Sequence, residues 1–359
     1  MKRSRLLLGL MLMLTLATVS QARAADTAGV QQMSLPSPAR GKPLSVTLWY
    51  PAGAGGHETL VGDSKLFTGT PARADAPIAG GRHPLIVLSH GSGARVETMA
   101  WLAASLAEAG FIVAGPNHPG TTSGDSTPED TPKLWQRTDD LSTTITALTG
   151  DSRWSAAIDA TRIAVLGFSL GGAAALDLAG GRVRLDAYVR YCDGNPAMAD
   201  CVWFAGRKGF VDGEAISTAP FDLRTVDRAR FEQSNRDARI VFAVLVDPSM
   251  AQAFDPQSLK DIAIPLLFIN QGRADAVPVS VKADALTDQS RNARLIHVPD
   301  AVHFSFLPEC KPGGAALLKS LGDGDTLCDD AGTRSRADIH AELRQHITTA
   351  LVEALKPDL

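Results

Sequence analysis

The sequence predicts an α/β fold: a mostly parallel central sheet flanked by helices. Three observations carry this expectation. Short apolar runs rich in Val, Ile and Leu recur along the chain, as in strands buried on both faces. Segments with helical periodicity alternate with them, so neighbouring strands are joined by crossover helices. One strand, Arg162-Ile163-Ala164-Val165-Leu166, runs through a glycine-flanked turn into the helix-forming run Ala173–Ala179.

Leu44–Tyr50 alternates with period two and stops at Pro51, as a half-exposed strand does. Residues 52–82, rich in Gly, Ala and Pro, read as a long surface loop. Pro84–Ser89 is a continuous apolar run and predicts a buried strand; a helix over 96–109 follows and stops at Gly110. Phe111–Ala114 is the next strand, and residues 117–131 are a polar loop. Leu134, Leu141, Ile145 and Leu148 give the helical period of 133–149. The rhythm breaks over 180–236, a polar stretch with scattered aromatics that reads as an insertion and a candidate cap. It resumes with strands at Ile240–Val246, Ile264–Asn270 and Ala293–Val298, and with helices over 279–288 and 335–355.

The first 24 residues read as a cleaved signal peptide. Lys2, Arg3 and Arg5 form the positive segment, Leu6–Val19 the apolar one, and Ala22-Arg23-Ala24 the small-residue cleavage site. Cleavage removes four positive residues (Arg23 is the fourth) and no acids, leaving 335 residues as one domain over 25–359. The formal charge moves from −4 to −8. An acidic chain without a basic run argues against nucleic acid as a partner. The expected protein is exported, periplasmic or secreted, with no stable membrane anchor after cleavage. Four cysteines in an exported chain predict disulfides, and sequence proximity favours Cys192–Cys201 and Cys310–Cys328. No cysteine or histidine pair has metal-site spacing, so no metal is expected.

Gly167-Phe168-Ser169-Leu170-Gly171-Gly172 is a G-x-S-x-G turn between a strand and a helix. This context lifts a serine hydroxyl clear of a sheet as a nucleophile. A serine needs a base and an orienting acid, in the chain order Ser, acid, His for such a sheet. Of the histidines after Ser169, His303 sits in the loop beyond the last strand; His297 lies within that strand, and His340 and His346 lie in the closing helix. His303 is therefore the expected base. Asp275, in the loop after Ile264–Asn270, is the expected acid. Asp247, after Ile240–Val246, is the alternative, and Asp193 in the insertion is a more distant candidate. Backbone N–H donors for an oxyanion are expected from Leu170 and, in Ser89-His90-Gly91-Ser92-Gly93, from Ser92, with Gly93 as the other choice. His90 reads as a structural hydrogen-bonder and His118 as a structural or substrate-lining residue.

These residues together resemble the α/β-hydrolase superfamily, and within it the bacterial dienelactone-hydrolase-like and platelet-activating-factor acetylhydrolase-like esterases. Leu48-Trp49-Tyr50-Pro51-Ala52, Ser89–Gly93, Arg162–Gly172 and Pro265–Asn270 carry the likeness, which spans about residues 44–310. It implies an α/β-hydrolase fold and a cofactor-free serine hydrolase of carboxylic esters, small or lipid, that passes through an acyl-enzyme. Dienelactone hydrolases use a cysteine where this chain has Ser169. The acetylhydrolase pattern favours Asp247 as the acid, and the dienelactone-hydrolase pattern favours Asp275. A peptidase or amidase on the same residues, or an inactive binding protein of the same fold, are the alternatives.

Overall fold

The structure is a computed structural model that describes residues 27–320, 326–330, 332 and 334–357. The expected leader, residues 1–24, lies outside the described residues. In chain order the strands are β1 (Ala28–Leu35), β2 (Leu44–Pro51), β3 (His57–Val61), β4 (Thr70–Ala74), β5 (His83–Ser89), β6 (Ile112–Pro116), the two-residue β7 (Thr121–Thr122) and β8 (Asp125–Ser126), β9 (Ile158–Phe168), β10 (Gly209–Val211), β11 (Glu214–Ile216), β12 (Ile240–Val246), β13 (Leu266–Gln271) and β14 (Ala293–Val298). Ten of them form one sheet in the order β14-β13-β12-β9-β5-β6-β2-β1-β4-β3. From β14 to β6 every neighbouring pair is parallel. β2 joins β6 antiparallel and opens the mixed edge.

The apolar runs are buried because the sheet is covered on both sides. Along β5, Leu85 and Val87 face one side while Ile86 and Leu88 face the other, and all four are inaccessible. The first side packs against the helices Leu134–Gly150 and Leu170–Ala179; the second packs against Ala100–Glu108 and Arg336–Leu355. Each fully buried Leu or Ile side chain contributes roughly 1.5–3 kcal/mol. This two-sided burial makes β9 a rigid central rail that ends at Ser169.

Residues 52–82 are more ordered than the composition suggests. They hold the antiparallel hairpin β3–β4 at the sheet edge, where only Val61 and Ala72 of its side chains are buried. So little burial leaves almost no apolar periodicity to read. The helix expected over 279–288 is confined to Asp284–Gln289, because residues 278–281 are taken up by a turn closed by Val281 N–H on the Pro278 carbonyl.

The insertion contains the helices Leu185–Gly194 and Ala199–Phe204, bridged by the Cys192–Cys201 disulfide, and then the hairpin β10–β11. The second disulfide joins Cys310 to Cys328, as expected. β10 pairs with β8, so the insertion is tied to the loop after β6 through a small sheet. The Trp203 indole N–H donates to Thr131 Oγ1 at 2.9 Å on this side. On the other side Arg184 N–H donates to the Ala253 carbonyl at 2.7 Å, in the segment after β12. The strand carrying Ser169 lies between β6 and β13 in the sheet. No helix of the described residues is long and apolar enough to cross a membrane.

Candidate active site

Ser169 follows β9 and precedes the helix Leu170–Ala179 with φ 55° and ψ −120°. A non-glycine residue in this conformation is strained. The turn is held by tight backbone contacts: a methyl on Gly167 would collide with the Gly171 carbonyl, and one on Gly171 with the Ser89 carbonyl. Ser169 N–H donates to the Val246 carbonyl at 3.0 Å, and its own carbonyl accepts from Ser249 N–H at 3.0 Å. The elbow is thereby fastened to the end of β12. Leu170 is the first residue of the following helix, so its N–H lies at the positive end of the helix dipole.

His303 opens a short 3₁₀ turn, His303–Phe306, beyond β14. Its Nε2 is 3.1 Å from Ser169 Oγ, and its Nδ1 is 3.0 Å from Asp247 Oδ2. Two aromatic rings flank the imidazole: Phe168 at 4.8 Å and Phe304 at 5.3 Å between centroids. The His303 side chain keeps 23 % of its surface exposed while Asp247 keeps 1 %. The imidazole is therefore open on one side while the carboxylate beneath it is enclosed.

Asp247 stands just past β12 with φ 43°, a left-handed residue that turns its carboxylate across the end of the sheet. Oδ1 accepts from Asn270 Nδ2 and from Gln271 N–H, both at 2.9 Å. Oδ2 accepts from Gln271 Nε2 at 3.1 Å and from His303. The same Gln271 amide donates to the His303 carbonyl at 2.9 Å, so one side chain holds both Asp247 and His303.

The structure brings Asp247 rather than Asp275 to His303. Asp275 does not meet His303. It is exposed, and the Arg273 guanidinium, 3.1 Å away, holds its carboxyl below the usual range. The turn closed by Ala276 and Val277 N–H on the Arg273 carbonyl keeps this loop out on the surface. Asp247 is favoured because β12 is the direct neighbour of β9, whereas β13 is one strand further away. Asp193 is also remote, paired with Arg224 at 2.6 Å. Gly93 N–H is committed to the Thr121 carbonyl at 2.9 Å, which leaves Ser92, exposed in the same loop, as the donor candidate there.

His90 and His118 are fully buried, so His118 does not line a substrate path. No motif marks Asn270 and Gln271, although two amides ending an apolar strand at its carboxyl edge are a usable signal. No motif marks Trp101 either, and His340 reads in the sequence only as a residue of the closing helix. The Trp101 indole N–H donates to the Phe306 carbonyl at 3.0 Å, and His340 stacks on Trp101 at 3.7 Å. His340 Nε2 lies 2.9 and 3.0 Å from the Ser305 and Leu307 carbonyls. Burial pulls the His340 pKa down to about 4, so it stays neutral and donates to this turn. Among the described residues no group of three His, Cys, Asp or Glu side chains is arranged to hold a metal ion.

Residues 86–311 match the model of the alpha/beta hydrolase family. No curated protein sequence matches the chain. Among solved structures, a ferulic acid esterase from Streptomyces cinnamoneus is similar at 21% identity and a TM-score of 0.62, over 93% of this chain and 91% of that one. An esterase from Pyrobaculum calidifontis is similar at 14% identity and a TM-score of 0.47, over 90% of this chain and 84% of that one. The first likeness is one of fold. With a match that runs from β5 through the elbow to beyond His303, the chain belongs to the alpha/beta hydrolase family.

Proposed function

We propose that this chain is an exported serine hydrolase that cleaves carboxylic esters through an acyl-enzyme. The observation that carries the reading is the unbroken line from Ser169 Oγ through His303 to Asp247, at 3.1 and 3.0 Å, on a strained elbow. Ser169 attacks the ester carbonyl while His303 Nε2 takes its proton. Asp247 holds Nδ1–H and stabilises the imidazolium. The developing oxyanion is met by the N–H groups of Leu170 and Ser92. His303 then protonates the leaving alcohol, and water repeats the sequence on the acyl-enzyme.

The acid after β12 agrees with the acetylhydrolase-like pattern rather than the dienelactone-hydrolase-like one. The ferulic acid esterase, whose fold this chain shares, supports ester over amide as the substrate class. The aromatic insertion, anchored on both sides of the elbow strand, acts in this reading as a wall that selects the ester. The leader-like residues 1–24 and the two disulfides support export to the periplasm or beyond.

The test is hydrolysis of p-nitrophenyl acetate and butyrate, against matched p-nitroanilides, with labelling by a fluorophosphonate. Wild-type protein should cleave the esters and take the label. Ser169→Ala should lose the label and at least about 10⁴-fold in kcat. Equal turnover by the alanine variant, or faster cleavage of the anilides than the esters, would refute the reading.

A further inference from the structure

Beneath the loop Ser89–Ala94 lies a polar network in which Ser89, His90, His118 and Asp140 are inaccessible and Arg137 is 1 % exposed. Arg137 rises from the helix Leu134–Gly150. Its Nη1 donates to Thr121 Oγ1 at 2.7 Å. Its Nη2 donates to Ser89 Oγ at 3.2 Å and to the His90 carbonyl. One planar guanidinium thus joins the end of β5, the loop that follows it and the hairpin β7–β8. A fixed fork of donors suits this bridging, where a single ammonium does not.

The peptide planes carry the constraint to the surface. His90 Nε2 accepts from His118 N–H at 3.2 Å, so the ring proton sits on Nδ1 and is directed at the Gly91 carbonyl, 2.7 Å away. Ala94 N–H donates to the same carbonyl at 3.3 Å. The chain has no cis peptide bond among its described residues, and in a trans peptide N–H and C=O point in opposite directions. With the Gly91 carbonyl turned into the network, the Ser92 N–H is turned out of it. This peptide lies beside the nucleophile: a methyl on Gly91 would stand 3.4 Å from Ser169 Cβ.

We infer that Arg137 is a positioning residue for the oxyanion site, holding the Ser89–His90 backbone so that the Gly91–Ser92 peptide presents its N–H beside Ser169. The inference rests on the serine-hydrolase reading. Arg137 touches no substrate and lies outside the Ser169–His303–Asp247 line. Its loss should lower stabilisation of the transition state without altering ground-state binding or the titration of the base.

Arg137→Lys and Arg137→Gln are compared with wild type on p-nitrophenyl acetate, well below each protein's melting temperature. Both should lose roughly 10- to 100-fold in kcat, less than one full oxyanion donor commonly costs. KM should stay within about threefold, and the pH profile of kcat/KM should not shift. The fluorophosphonate should react more slowly by a similar factor, because its phosphonyl oxygen uses the same donors. Thr121→Val removes one Arg137 acceptor without changing a buried charge, and serves if the arginine variants do not fold. It should lose about 3- to 10-fold in kcat with the same unmoved pH profile. Folded variants with wild-type kcat and labelling rate would overturn the inference, as would a loss carried by KM or by a displaced pH profile. A wild-type protein that neither turns over the ester nor takes the label is a different result, and refutes the serine-hydrolase reading itself.

Discussion

Two Ser–His–Asp lines of hydrogen bonds stand among the described residues, and only the first has the surroundings that the proposed chemistry requires. In the first, Ser169 meets His303 Nε2 at 3.1 Å and His303 Nδ1 meets Asp247 at 3.0 Å. In the second, Ser89 meets His118 Nε2 at 3.0 Å and His118 Nδ1 meets Asp140 at 2.9 Å. The distances alone do not separate them. Their surroundings do. His303 is partly exposed, while all three members of the second line are inaccessible. Apart from His303, the groups donating to Asp247 are neutral, so its charge is available to an imidazolium. Asp140 is already held by Arg40 at 2.8 and 2.6 Å. Burial and the charges of Arg137 and Arg40 push the His118 pKa well below the ordinary histidine value. That ring resists taking a proton. Ser169 sits on a strained turn, whereas Ser89 ends an ordinary strand and accepts from Arg137. A reacting triad needs access, an uncommitted carboxylate and a base free to charge, in addition to the three residue types.

The largest effect that tests this contrast is on turnover. Asp247→Asn should lower kcat on p-nitrophenyl acetate by about 10⁴-fold, since the amide no longer fixes the imidazole tautomer. Asp275→Asn should stay within about twofold. Equal losses in steady-state assays of the two variants would overturn the assignment of the acid.

The second effect is on stability and runs the other way. Asp140→Asn strips the largely covered Arg40 guanidinium of its counter-charge and should lower the unfolding free energy by about 3–5 kcal/mol. Asp247→Asn, which leaves no buried arginine unpaired, should lose roughly 1–2 kcal/mol. Urea denaturation of both variants reads the difference. A larger loss for Asp247→Asn would break the comparison.

Per residue, the smallest effect appears with pH. Burial holds the folded pKa values of His90 and His118 well below the ordinary one, and that of His340 at about 4. Below about pH 6.5 the unfolded chain binds protons at these residues and the folded chain does not. Stability is therefore lost as pH falls from about 6.5 towards the folded values, by up to about 2 kcal/mol per buried histidine at pH 5. Urea midpoints at pH 7 and pH 5 measure this, and His118→Gln should show a smaller acid-induced drop than wild type. An undiminished drop would mean that the buried line does not carry the acid sensitivity.

Much of the fold is legible in the sequence. The runs at 84–89, 240–246 and 293–298 read as strands because a sheet covered on both faces demands uninterrupted apolar sequence. His303 was legible because it alone among the later histidines stands in a loop past a strand. The hairpin β3–β4 was not, since an exposed edge imposes little pattern. The roles of Gln271, Asn270, Arg137 and Arg40 were not either. Each acts through a partner distant in the chain, and Arg40 meets Asp140 across 100 positions.

By itself the sequence determined the class of fold, the strand-to-helix turn at Ser169 and the pairing of the four cysteines, and it singled out the histidine that lies 3.1 Å from that serine. Each of these is written in local periodicity, turn chemistry or short spacing. The tertiary structure alone decided which aspartate completes the line. Asp247 and Asp275 both follow buried strands and both precede His303. Their difference lies in which strand neighbours β9 and in which way each loop turns its carboxylate. Strand order and loop direction come from long-range packing, and a local pattern does not encode them.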